Sequence, residues 1–176
     1  NKHNQSELWG IFGIARRAIS LSARLHSDNG NNIIFDSGYK GFPEFHNICH
    51  QRSVYFIDEL FWIIFDTVKG PHNDQRTYHV ENFIHVHPER DIEVVKSSDN
   101  VNNFIIYDET QALHVCPMRI SVNLRDNNDM GLGIIKGDKK TVQGWYSPEF
   151  GNIKENNVIV IGKKGLLPLH TGYLLF

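Results

Sequence analysis

His50 and Arg52 stand two residues apart, immediately ahead of a strongly apolar run. On a β-strand that spacing puts both side chains on one face. A neutral imidazole can take up a proton, and a guanidinium can hold a carboxylate through two parallel hydrogen bonds. Neutralising a sugar carboxylate acidifies the proton on the neighbouring carbon, so the pair suits proton abstraction from an anionic sugar. Arg52 can equally hold the sheet edge by pairing with Asp36, Asp58 or Asp66. Tyr39, Trp145 and Tyr146 add rings able to stack on sugars, whereas Trp9 and Trp62 read as core residues. These five, His50, Arg52, Tyr39, Trp145 and Tyr146, are the candidate substrate-binding residues; no residue is assigned a catalytic role.

A second constellation is His85-Val86-His87. On a strand its two imidazoles share a face about 6.5–7 Å apart. They can share a zinc ion if a third ligand arrives, and His79 and Glu81 lie on the same face. His79, His85 and His87 are therefore weak metal candidates, set against a polar strip facing solvent or carbohydrate. The chain has no Gly-x-Ser-x-Gly elbow, no phosphate-binding glycine loop and no His-Glu-x-x-His.

The elements that must position these residues are short apolar runs punctuated by Gly, Asn and Asp. Strands are expected at about 14–25, 32–36, 52–57, 60–67, 76–87, 92–96, 103–108, 113–124, 132–136, 142–146, 157–162 and 165–175. Such spacing is the pattern of an all-β, antiparallel β-sandwich of two layers. Asp58-Glu59 alone separates two of the runs and predicts a tight hairpin. In 76–87, Tyr78, Val80, Asn82, Ile84 and Val86 should face the core. In 113–124, His114, Cys116, Met118, Ile120, Val122 and Leu124 should be the buried set. The only helix candidate is 5–18, which Gly10 and Gly13 weaken. With no repeat and no long linker, 1–176 reads as one domain.

Composition narrows the partners. Apolar residues make up 40% and aromatics 11%, as in a globular chain. A formal net charge of -2 argues against nucleic acid. No apolar run approaches the roughly 18–20 residues of a membrane-spanning helix. Cys49 and Cys116 are too few for a disulfide scaffold, and two buried thiols are favoured over one bridge. The chain opens on Asn1 and closes on an apolar, strand-like stretch, and it reads as a segment of a longer polypeptide.

Several pieces, in order, resemble the C-terminal β-sandwich of the heparinase II/III family of bacterial polysaccharide lyases. Gln5-Ser6-Glu7-Leu8-Trp9 with Phe12 is similar to an early Gln-Ser-x-x-Trp-x-x-Phe stretch, and Asp36-Ser37-Gly38-Tyr39 to a Gly-Tyr turn. His50-Gln51-Arg52-Ser53-Val54 resembles a His-Arg-Arg-Ser-Val strand start. Phe61-Trp62-Ile63-Ile64-Phe65-Asp66 resembles a Trp-Val-Val-x-Asp strand. His79 to Pro88 is similar to a strand ending in His-x-x-Pro, and Gly144-Trp145-Tyr146-Ser147-Pro148 to a Gly-Trp-x-Ser strand. The resemblance implies β-elimination on a uronic-acid-containing, acidic polysaccharide, in a periplasmic or secreted protein. It implies that the catalytic Asn, Tyr and His come largely from an N-terminal α/α toroid, with an Ala-His-Asn motif and, in some members, zinc. None of those motifs occurs here. The resemblance therefore implies a domain inactive alone, with no cofactor of its own and with the helical domain as partner. The other reading is a stand-alone carbohydrate-binding or structural β-sandwich.

Overall fold

A computed structural model describes residues 7–9, 13–16, 19–28, 32–41, 47–97, 101–121, 130–140 and 142–176. Every element among them is a strand, and the strand pairings described below are antiparallel. The fold class is the expected one: all-β and sandwich-like. The chain forms two compact units, Asn1–Tyr78 with Gly165–His170, and His79–Lys164 with Thr171–Phe176.

The first unit begins with β1 (Glu7–Trp9) and β2 (Gly13–Arg16), which pair with each other. These strands replace the expected helix. Leu8 lies opposite Ile14 and Trp9 opposite Gly13. Glycine costs about 1 kcal/mol in a helix interior, so Gly10 and Gly13 weigh against the helix. Side chains of residues 1–18 lie outside the described set, and with them the expected core role of Trp9.

β3 (Ile19–Ser20) and β4 (Arg24–Asp28) both pair with β5 (Asn32–Lys40). β4 covers residues 32–36 of its edge and β3 covers 39–40, so two short strands share one long partner. β6 (Cys49–Ile57) and β7 (Phe61–Lys69) follow in the same sheet. Gly38 and Tyr39 were expected in a turn. They lie inside β5 instead, opposite Gln51 and His50, because the ladder to β6 runs unbroken from Asn32 to Lys40.

The predicted hairpin is β6–β7, with one more loop residue than expected. Ile57 is opposite Phe61, so Asp58, Glu59 and Leu60 form the connection. Asp58 and Glu59 take φ of 50° and 57°, the left-handed geometry of a primed turn, and the Leu60 N–H donates to the Ile57 carbonyl at 3.0 Å. Asp tolerates this conformation better than Glu does. Glu59→Gly is expected to stabilise the chain by about 0.5–1 kcal/mol, the relieved φ penalty outweighing glycine's larger unfolded-state entropy. A thermal melt that rises by a few degrees checks it; a lower melting temperature sinks it.

The second unit contains β8 (Tyr78–His85), of which Tyr78 falls in the first unit, β9 (Asp91–Lys96), β10 (Asn102–Tyr107), β11 (Ala112–Pro117) and β12 (Met130–Lys136). β13 (Trp145–Glu149) and β14 (Asn152–Glu155) form a hairpin, followed by β15 (Asn157–Gly165). β16 (Leu169–Leu175) enters this unit at Thr171. One sheet has the order β12-β15-β8, and β9-β10-β11-β16 lie side by side in another. β15 is central in the first, and its run Val158, Ile159 and Ile161 is buried on both faces, as a continuous apolar run predicts. The two sheets are joined through their buried faces by a hydrogen bond from Asn82 Nδ2 to Thr171 Oγ1 at 3.0 Å. This resolves the one polar residue expected on the core face of β8. Asn82 and Val86 are buried while His79, His85 and His87 are exposed, as the alternation required.

The faces of 113–124 are not as expected. Val115 is fully buried and Pro117 is buried, whereas His114 and Cys116 are half-buried. The strand ends at Pro117, and its buried face is the one bearing Val115 and Pro117. Strand 142–146 is also displaced: Val142 and Gly144 have positive φ, and the strand starts at Trp145. Trp62 is 44% exposed rather than core, and it stacks on Phe56 with centroids 4.3 Å apart. It lies one residue from the β6–β7 turn, at the closed end of the hairpin.

Candidate functional site

The β6–β7 register decides the first site. His50, Arg52, Val54 and Phe56 point to the face shared by their opposite numbers Val68, Asp66, Ile64 and Trp62. On β5, Tyr39 is opposite His50 and joins the same face. An apolar sheet face therefore carries a polar cluster at one end.

Asp66 organises that cluster. Its side chain is 1% exposed. Arg52 donates from Nε to Asp66 Oδ1 at 2.8 Å and from Nη2 to Oδ2 at 2.9 Å, a two-pronged pair. His50 Nε2 lies 2.5 Å from the same Oδ1. An ionised carboxylate only accepts, so Nε2 carries the proton there and Nδ1 is turned away from Asp66. Tyr39 meets the His50 ring edge to face at 5.3 Å. Burial pushes the Asp66 carboxyl up, but the hydrogen bonds from His50 and Arg52 and the Arg52 charge outweigh it, so the group sits below the usual carboxylate range.

Of the three partners weighed for Arg52, the structure selects Asp66. Asp36 is held by Ser53 Oγ, which donates to its Oδ1. The guanidinium edge best suited to grip a sugar carboxylate is already engaged, although the Arg52 side chain is 43% exposed. The sequence reading named Asp66 among the possible partners of Arg52 but missed that His50 shares it. The available signal was a lone carboxylate at the end of an otherwise apolar strand.

Trp145 and Tyr146 lie in the other unit, on β13. Trp145 is half-buried, and its Nε1 donates to the Asp138 carbonyl at 3.3 Å, so it ties down a turn. Tyr146 packs edge to face against His87 at 5.0 Å. His79 lies against Gly162, where an added Cβ would come within 3.0 Å of its Nε2. Among the described residues no three His, Cys, Asp or Glu side chains gather as a metal site, so His79, His85 and His87 do not assemble one with a third ligand. His87 instead has Glu89 Oε2 3.9 Å from Nδ1. Cys49 and Cys116 are free thiols, both half-buried, and burial pushes the Cys116 thiol up.

A further charged cluster lies in the first unit, ahead of β8. Arg76 Nη2 and the Tyr78 hydroxyl both donate to Asp74 Oδ2 at 2.6 Å, and Arg76 Nε also reaches Oδ1 at 2.9 Å. These hydrogen bonds hold the Asp74 carboxyl well below its ordinary range. The clamp also explains why the strand expected from residue 76 begins at Tyr78. Among the described residues, no helix is long and apolar enough to cross a membrane.

The fold is shared with known lyases. The chain is similar in structure to heparan sulfate lyase HepC from Pedobacter heparinus, with a TM-score of 0.64 and 15% identity over 92% of this chain and 22% of that one. It is similar to heparinase III, with a TM-score of 0.60 and 12% identity over 91% of this chain and 21% of that one. The chain thus spans about a fifth of the length of these relatives. No curated protein sequence matches it. Residues 1–165 match the family model described as heparinase II/III-like, C-terminal. Six motifs in order, an all-β sandwich-like fold and a match over nearly the whole chain lead to one assignment: the chain belongs to the heparinase II/III-like C-terminal family.

Proposed function

We propose that this chain is the C-terminal β domain of a polysaccharide lyase. The whole protein would cleave an acidic, uronic-acid-containing polysaccharide by β-elimination outside the cytoplasm, in the periplasm or after secretion. The family match over residues 1–165 carries this reading. The β domain is inactive alone in this reading, and an N-terminal helical domain supplies the groups that abstract and donate protons. Two observations support that division. The chain covers only about a fifth of the lyases it resembles. The imidazole and guanidinium that could serve, His50 and Arg52, are both committed to one buried carboxylate. Their role is then to hold the sheet face that carries Tyr39 at the edge of the substrate cleft.

The test is to incubate the 176-residue chain, and the longest natural polypeptide containing it, with heparin, heparan sulfate and alginate while following ultraviolet absorbance from unsaturated uronates. Absorbance should rise only with the longer polypeptide. Turnover by the chain alone removes the claim of inactivity, and a longer polypeptide inert on every uronate polymer removes the lyase reading.

A further inference from the structure

The β13–β14 hairpin carries side chains that no role described so far absorbs. Its two faces differ in chemistry. Trp145 is opposite Glu155, and the Glu155 carboxyl lies over Gly137, where an added Cβ would meet its Cδ at 2.6 Å. That face is occupied by turn packing. Tyr146 is opposite Lys154 on the other face, so their side chains start about 5 Å apart and project together. His87 reaches this face from the end of β8, with its ring 5.0 Å from that of Tyr146. Lys154 is exposed and, among the described residues, has no ion-pair partner. Among the described residues, the one carboxylate in ion-pair contact with the group is Glu89, 3.9 Å from His87 Nδ1 and itself 84% exposed. Water screens so exposed a charge, and the pair is worth little.

A ring, a hydroxyl, an imidazole and an unpaired ammonium on one face form a recognition set for a sugar bearing a negative group. The ring covers the apolar side of a pyranose, and the ammonium meets the charge without needing the planar fork of an arginine. We propose that His87, Tyr146 and Lys154 form a subsite for one anionic sugar residue, with Lys154 contacting its carboxylate or sulfate and Tyr146 its ring. This deepens the polysaccharide reading above and rests on it. It also changes the role expected for Trp145, which anchors the hairpin instead of touching sugar.

The test measures binding of the chain to three size-matched oligosaccharides by calorimetry: heparan sulfate, its unsulfated uronate-bearing counterpart, and neutral dextran. The wild type should bind the two charged oligosaccharides and not dextran. Lys154→Gln is a surface change that leaves the fold intact, and it should weaken charged-ligand binding about five- to twentyfold. Tyr146→Ala should weaken it similarly, and Glu89→Gln should tighten it slightly by removing the opposing charge. Loss with both charged ligands assigns the contact to the carboxylate; loss with heparan sulfate alone assigns it to the sulfate. Charged-ligand binding unchanged by Lys154→Gln and Tyr146→Ala overturns the subsite and leaves the polysaccharide reading standing. A wild type that binds dextran as tightly as the charged sugars overturns it too. A wild type that binds no charged oligosaccharide overturns the subsite and also counts against the acidic-polysaccharide reading beneath it.

Discussion

Arg52→Ala is expected to destabilise the chain by about 3 kcal/mol, the low end of the range for breaking a buried ion pair. What decides the size is the group left behind. Asp66 is 1% exposed and would keep only the hydrogen bond to His50, losing both prongs of the guanidinium. A nearly dry carboxylate with one donor carries a desolvation cost that nothing offsets. The estimate stays at the low end because Arg52 is 43% exposed, so water already screens part of the attraction. Asp66→Asn should cost less, about 1–2 kcal/mol, because the groups it leaves behind, His50 and Arg52, retain access to water. Urea unfolding of the two variants gives the order directly. A smaller loss for Arg52→Ala than for Asp66→Asn would mean that Asp66 is not the desolvated member of the cluster.

The same cluster sets a pH dependence with a definite sign. The Asp66 carboxyl lies lower in the folded chain than the ordinary value of about 4, because its hydrogen bonds from His50 and Arg52 outweigh the cost of burial. A lowered folded value gives stability that is complete above the unfolded value and is lost as pH falls through the folded one. The wild type should therefore lose stability below about pH 4. Asp66→Asn should lack that part of the acid limb.

What the sequence revealed of this site, and where it stopped, comes down to one residue in a turn. The hairpin was legible because two β-branched and aromatic runs flank Asp58-Glu59. A two-residue loop, however, would set Ile57 against Leu60, and the same count places Arg52 opposite Phe65 and Asp66 opposite Gln51. The observed loop has three residues, and the slip by one puts Asp66 on the face of Arg52 and His50. Propensity says where strands form, but register depends on loop geometry that no side-chain pattern shows at Leu60. Trp62 failed for a related reason. Its apolar run resembles a strand covered on both faces, yet burial depends on what lies above the sheet. Family motifs were more durable than local periodicity, since they record residues fixed by contacts distant in sequence.

Gly144 is such a residue, and Gly144→Ala is expected to cost about 2–5 kcal/mol, combining about 1–2 for a left-handed alanine with about 1–3 for overpacking. Gly144 has φ 80°. A Cβ there would lie 2.6 Å from the Gly137 nitrogen, 3.0 Å from the Asn156 carbonyl oxygen and 3.0 Å from the Lys136 Cα. All three are backbone atoms, so no side-chain rotation relieves the overlap. They also cannot retreat freely, because the Gly144 carbonyl accepts from the Gly137 N–H at 3.1 Å and the Asn156 N–H at 2.9 Å. The strain would fall on the start of β13, where Trp145 reaches the Asp138 carbonyl and Tyr146 meets His87. Gly133→Ala is the matched control, since nothing lies within 4 Å of the added Cβ on β12. There alanine should be neutral or stabilising by up to about 1 kcal/mol through the entropy of the unfolded chain. Opposite signs for one chemical change at two glycines, read by thermal melting together with the Trp145 indole N–H resonance, would tie the Gly-Trp motif to backbone packing. Equal, small effects would show that the close approach at Gly144 is not what holds the hairpin.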